Sequence, residues 1–288
     1  MADRMQQCVE RVEVVKPRKE ERSVPLWNYP ATYLLMGVNF VVFAAMFNSG
    51  PVIGLIHQHS WSSVLTASFD VDTLVRFGAT ASPLIQQGEW WRLVTGTFVH
   101  VTILHVVLNM WCLWNLGLLG EPLLGKRGLV AVYLLTGTAG MMLSYAWSLF
   151  SGQVALVAGA SGAVFGIAGV LIVLLSNRKL SLPWEELRSL RRQVIFFAVA
   201  NLAIGMAPQV MGMASVNQLR AMHLDLSALP RIDNTAHMGG FLTGLALGLP
   251  LFPRMTSGRS SYRTRQRVTF LFATLLLCLI GYALSKFA

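Results

Sequence analysis

The chain has 288 residues, of which 54% are hydrophobic and only 12% charged. A soluble domain carries about 25% charged residues, so this composition excludes a water-covered globular surface. The formal net charge of +10 raises nucleic-acid binding as a class, but the basic residues alternate with apolar blocks in a pattern that only a membrane topology explains.

Residues 1–24 read as a charged cytoplasmic tail. They lack an apolar signal core, and Asp3, Glu10, Glu13, Glu20 and Glu21 argue against an organellar transit peptide. Apolar blocks of roughly bilayer-crossing length follow at 31–47, 99–119, 129–150, 161–175, 194–211, 234–251 and 268–284. With the N-terminus inside, 18 of the 23 Lys and Arg residues fall on the cytoplasmic side. That asymmetry predicts seven spans, with the N-terminus in the cytoplasm and the C-terminus outside. A long outer segment, 48–98, carries Pro51, Trp61, Trp90 and Trp91 and is expected to sit in the membrane interface, where indole rings prefer to lie. Residues 120–125 read as a short inner turn and 177–192, with Pro183-Trp184-Glu185-Glu186, as an amphipathic inner connector. A second outer segment covers 212–233, and an Arg-rich cytoplasmic linker, 254–267, leads to the last span.

The expected architecture is an all-α polytopic membrane protein. A six-span core occupies 25–253, and residues 268–288 add one C-terminal helix. Cys8, Cys112 and Cys278 have no metal or disulfide spacing, and no metal or cofactor is expected.

Two costly residues stand at the start of apolar blocks: Ser161 in Gly159-Ala160-Ser161-Gly162, and His237 in Ala236-His237-Met238-Gly239-Gly240. Polar and ionisable groups at membrane depth are functional by default. Residues 153–175 can be read as one continuous span, but Gly159 and Gly162 favour a helix that starts near Ser161, a favoured helix N-terminal residue type. Fifteen residues rise about 22 Å against a hydrocarbon core of about 30 Å, so the serine lies below the outer surface. Irregular backbone at that depth must line a protein-enclosed or hydrated cavity. In this topology the second, fourth and sixth spans all begin outside. That puts Ser161, His237 and the one-face pair His105/Asn109 at similar depth. Gly162, Gly166 and Gly169 share one face, as do His237, Gly240, Gly244 and Gly248, and small residues let two helices approach closely in lipid.

If the two helices touch, His237 can act as base toward the Ser161 hydroxyl. The Ser161 backbone N–H, the Asn109 amide and the His105 ring can then donate to an oxyanion. Asp233 lies one turn before His237, nearer the surface, so a dyad is the simpler arrangement. Each residue has a plainer reading. A serine among small residues is usually packing, a lone intramembrane histidine more often belongs to a polar network or proton path, and His105/Asn109 alone could stabilise helix contacts. His100 reads as structural, Trp91-Arg92 as a loop anchor and the glycines as packing devices.

Taken together these residues resemble the rhomboid intramembrane serine proteases. The family's pattern is matched at Glu89-Trp90-Trp91-Arg92, at His100, His105 and Asn109, and at Gly159-Ala160-Ser161-Gly162. It continues at Ala236-His237-Met238-Gly239-Gly240 with Gly244. Glu121 resembles the family's structural acid at the inner end of the second span, and Ile232-Asp233-Asn234 is similar to bacterial members. The resemblance implies a six-helix core, a Ser161–His237 dyad and an oxyanion site using His105 and Asn109. It implies single-span membrane-protein substrates, cut in or near the outer part of the transmembrane segment, preferably at a small residue. The first outer loop would be shaped by Trp91 and Arg92, and span five with the following loop would act as gate and cap. The Ile232-Asp233-Asn234 similarity favours a bacterial inner membrane over a eukaryotic secretory one, with membrane lipid and no nucleic acid as surroundings; oligomeric state carries no signal. Phe165 stands where some relatives have tyrosine, the seventh span is an addition that could restrict substrate entry, and the loop before His237 is long. The rivals are a non-cleaving relative that escorts membrane clients, and a transporter relaying protons through His100, His105 and His237. The presence of both Ser161 and His237 opposes the first, and the lack of core carboxylates and inverted repeats opposes the second.

Overall fold

The computed structural model describes residues 28–49, 65, 67–177, 183–200, 203, 233–252 and 259–287. Four of its helices are long and apolar enough to cross a membrane. The first, α1, is Pro30–Ser49, within two residues of the expected block at either end. Its start is tied by Glu121, whose carboxylate accepts from the backbone N–H groups of Ala31 and Thr32 at 3.0 and 2.8 Å and from the Thr32 hydroxyl at 2.7 Å. A buried carboxylate thus takes donors that a helix N-terminus otherwise leaves unpaired.

Short elements follow: α2, Val71–Arg76; β1, Thr80–Ala81; α3, Ser82–Gln86; and α4, Arg92–Thr95. The expected second span begins four residues late, as α5, Ile103–Leu124. Thr102 causes the delay: its side chain accepts from the His105 N–H at 3.0 Å, so residues 99–102 stay outside the helix. At its other end α5 runs past residue 119, and the expected turn at 120–125 shrinks to Gly125. Gly125 takes a positive φ of 74°, which glycine adopts without a Cβ penalty, and α6, Lys126–Ser151, begins on the next residue.

β2, Leu156–Val157, pairs antiparallel with β1 and brings the chain to α7, Ser161–Leu174. α7 is apolar all round and buried on nearly every side, as a helix at the centre of a bundle must be. α8 covers the helical residues 184–200. It starts inside the stretch expected as a connector, and much of the expected fifth span and the whole segment 212–232 lie outside the described residues. α9 is Asn234–Leu251. α10, Arg259–Leu284, begins within the expected linker, because Tyr262 and Gln266 donate to the carbonyls of Leu123 and Leu124 at 3.3 and 2.9 Å. These bonds draw the helix start onto the end of α5.

The closest packing joins α7 to α9, with α6 against both. Glycines make it possible. A Cβ on Gly240 would overlap the Gly162 carbonyl, and one on Gly244 the Gly166 carbonyl. Backbone meets backbone, as the small-residue stripes predict. α10 lies against α6 and α9, and its Leu277 and Leu284 pack on the cluster that holds Met141, Met142 and Tyr145. α8 sits elsewhere, its Leu187, Val194 and Ala198 joining the cluster built on α5 and α7. Leu271, Phe272, Leu275 and Leu279 of α10 are exposed, a surface suited to lipid.

Candidate functional site

Ser161 is the first residue of α7, and the helix has no side-chain cap: the preceding position is Ala160. The helix starts at Ser161, as expected, with the serine as its first residue rather than its cap. Its hydroxyl is left free for another partner and lies 2.7 Å from His237 Nε2. A neutral ring with its proton on Nδ1 accepts from the hydroxyl at Nε2. Nδ1 is buried and has no partner among the described residues. The imidazole is oriented instead by Phe165, one helical turn after Ser161, whose ring stacks on it at 4.6 Å between centroids and 16° between planes.

Asp233 fixes where the helix that carries His237 begins. Its side chain accepts from the N–H groups of Thr235 and Ala236 at 2.8 and 3.2 Å, and its carbonyl accepts from the His237 N–H at 3.3 Å. Its other carboxylate oxygen accepts from the Ser144 hydroxyl of α6. Asp233 is thus an N-cap joined to a neighbouring helix. The sequence signal for this was present, an Asp directly before an apolar helix; Ser144 carried none.

The loop before Ser161 is held from the α4 side. The Gly159 N–H donates to the Gly96 carbonyl at 2.9 Å, and the Ala160 N–H donates to His100 Nε2 at 3.4 Å. His100 is fully buried and its Nδ1 donates to the Phe98 carbonyl at 3.3 Å, so its place is structural. Gly159 has φ 134°. A Cβ there would lie 2.7 and 2.9 Å from His105 Cε1 and Nε2, and 3.8 Å from Ser161 Oγ. The glycine therefore makes room for the His105 ring beside the serine. His105 Nδ1 accepts from the Val101 N–H at 3.5 Å, which leaves Nε2 as the protonated nitrogen, on the Ser161 side. Asn109 is buried on the same face, and its amide donates to the His105 carbonyl at 2.9 Å. One amide hydrogen is thus spent on its own helix and the other is left for a ligand.

A family model described as the Rhomboid domain matches residues 87–254. The chain belongs to the rhomboid family. It is similar to the Rhomboid protease GluP of Bacillus subtilis (strain 168), 36% identical over 239 residues, which cover 81% of this chain and 38% of that protein. It is also similar to RHOMBOID-like protein 5 of Arabidopsis thaliana, 29% identical over 238 residues and covering 78% and 68% of the two chains. Rhomboid-like protease 2 of Toxoplasma gondii is 31% identical over 177 residues, covering 62% and 53%. The chain spans less than two fifths of the length of GluP and about half that of the Toxoplasma relative.

This rhomboid is an integral membrane protein of a family of intramembrane serine proteases, and the remaining motif residues brace its site. Arg92 is buried under the exposed Trp91 ring, 4.4 Å away. Its guanidinium donates to the carbonyls of Val75 and Ala79 at 2.6 and 3.2 Å and pairs with Glu89 at 2.6 Å. Thr80 closes the arrangement by donating to the Arg92 carbonyl at 2.8 Å. The segment that holds Gly159 and Ala160 is therefore itself stapled by the Glu-Trp-Trp-Arg motif. Glu121 stands at the other end of α5, away from Ser161, consistent with a purely structural acid.

Proposed function

We propose that this rhomboid is an intramembrane serine endopeptidase that hydrolyses peptide bonds in or near transmembrane segments of single-span membrane proteins. The observation that carries the reading is the 2.7 Å contact of Ser161 Oγ with His237 Nε2. In the reaction His237 Nε2 takes the hydroxyl proton as Oγ attacks the scissile carbonyl carbon. The negative charge that develops on the carbonyl oxygen is met by the Ser161 N–H, which as the first in α7 has no intrahelical partner, with His105 Nε2–H and the second Asn109 amide hydrogen beside it. The protonated His237 then gives its proton to the leaving amine. Water, deprotonated by the same nitrogen, hydrolyses the acyl-enzyme and restores the hydroxyl. With no carboxylate on His237 Nδ1 among the described residues, Phe165 supplies the orientation that an acid supplies in a triad.

The arrangement is read as six core spans plus α10, with the N-terminus and Gly125 in the cytoplasm and Ser161 toward the outer side of a bacterial inner membrane. Span five and the segment after it, which lies outside the described residues, would act as gate and cap. α10 packs against α6 and α9, the flank on which the extra helix would restrict substrate entry. The deciding experiment is covalent labelling of the purified protein by a serine-directed phosphonate, run beside cleavage of a reporter transmembrane helix. Both are expected to disappear in Ser161→Ala and His237→Ala; cleavage by Ser161→Ala at the parental rate overturns the assignment.

A further inference from the structure

At the end of the bundle away from Ser161, α1 and α6 diverge to leave a groove of about 440 Å³. Its walls are Leu34, Val130, Ala131 and Leu134, and its mouth is formed by Lys126 and Arg127. We infer that this groove is a binding site for one anionic phospholipid, with an acyl chain between α1 and α6 and the headgroup phosphate on Lys126 and Arg127. The inference rests on the orientation given above, which puts the mouth at the cytoplasmic surface.

Three features converge on that ligand. From Lys126 to Leu134 the groove follows two turns of α6, a rise of about 12 Å. That is less than half of a hydrocarbon core of about 30 Å, so the slot has the depth of a single leaflet. Leu34 on its rim is exposed, as are Val38 and Val41 further along α1. The slot therefore opens sideways toward lipid tails rather than toward water. At the mouth, Lys126 and Arg127 are both exposed, and no carboxylate among the described residues pairs with either. They stand on the first turn of α6, whose N-terminus has no side-chain cap, so its open N–H groups add to the same positive field. Basic pockets between membrane helices on the cytoplasmic side recognise acidic headgroups in this way. A zwitterionic lipid fills the apolar slot equally well and gains much less at the mouth, because its own ammonium opposes the two cations.

The groove also touches what holds α1 in place. Ala31, which lines it, donates its N–H to Glu121. An occupied slot thus supports the α1–α5 junction from the side that Glu121 does not reach.

The test uses the full chain in mild detergent, with phosphatidylglycerol and phosphatidylcholine of identical acyl chains titrated separately and bound lipid counted by native mass spectrometry. Phosphatidylglycerol is expected to bind more tightly. The double variant K126Q/R127Q should weaken it roughly thirtyfold while leaving phosphatidylcholine unchanged. A phosphatidylglycerol carrying a photoreactive acyl chain should label peptides of α1 and α6 in the parent and lose that labelling in K126Q/R127Q, which changes only exposed side chains. Equal affinity for the two lipids, retention of phosphatidylglycerol by the double variant, or displacement by millimolar inorganic phosphate each overturns the inference. Binding is read without catalysis and without a membrane, so failure of the hydrolytic or orientation reading, scored by phosphonate labelling and topology reporters, stays separate from failure here.

Discussion

Gly240→Ala tests whether the glycine contact of α7 with α9 sets the geometry of the Ser161–His237 pair. The added methyl would overlap the Gly162 carbonyl oxygen and lie 2.7 Å from its carbon and 3.1 Å from Gly162 Cα. Carbon atoms rest at about 3.5–4.0 Å, and every obstacle is backbone, so no rotamer change relieves the overlap. The two helices must part by at least about 0.8 Å to reach that separation. Ser161 and His237 lie at the same level of these helices. Their 2.7 Å contact then stretches to about 3.5 Å, outside the useful range of a hydrogen bond. A misplacement of this size costs about a hundredfold in rate, equivalent to about 2.7 kcal/mol of barrier, and the overpacking lowers stability by about 1–3 kcal/mol. The assay is kcat/KM for a reporter transmembrane substrate in detergent, with thermal unfolding of the same preparations. Gly37→Ala is the control, since nothing lies within 4 Å of a Cβ at that position. Parental kcat/KM in Gly240→Ala, with an unshifted unfolding midpoint, refutes the reasoning.

Phe165→Leu keeps bulk beside His237 and removes the stacked ring; it should lower kcat three- to tenfold, the worth of such a contact, while Phe165→Tyr stays near the parent. A leucine variant at the parental rate would show that the ring is held by other means. Glu121→Ala strips the acceptor from three donors and should cost roughly 3 kcal/mol, read as a lower unfolding midpoint in detergent, with a smaller loss in Glu121→Gln. A loss below about 0.5 kcal/mol would remove Glu121 from the account of how α1 is fixed.

The parts of the fold legible in the sequence are those set by neighbours along one helix. The limits of α1, the start of α7 at Ser161 and the two glycine stripes all follow from composition and the 3.6-residue period. Features set by contacts between distant segments were not legible. Nothing local shows that His100 holds the Ala160 N–H or that residues 80–81 pair with 156–157. Equally, Tyr262 and Gln266 gave no sign of being drawn to the carbonyls at the end of α5, so a helix start was read as a linker. The Thr102 cap and the one-residue turn at Gly125 fall between. Both use residue types with known preferences, but hydropathy alone places the boundary by apolarity and passes over them. At the site itself, the chemistry of Ser161 and His237 could be proposed from residue type and depth. The route by which His237 is oriented, through a stacked ring with Nδ1 left alone, required coordinates.

The single-residue turn at Gly125 has a mechanical consequence. It joins α5 to α6 with almost no slack, and within a few residues Glu121 ties α5 to α1 while Leu123 and Leu124 accept from α10. Four helices are thereby pinned at one rim, and α1 and α6 are tied again further along, where Asn39 donates to the Tyr133 hydroxyl at 3.0 Å. Any breathing of the bundle becomes a rotation about that rim, largest at the far end where Ser161 sits. Pairs of spin labels should therefore hold their separation near Gly125 and broaden between the opposite ends of the same helices. The molecule is built as a set of levers on a common fulcrum, so a small tilt at the base is magnified at Ser161.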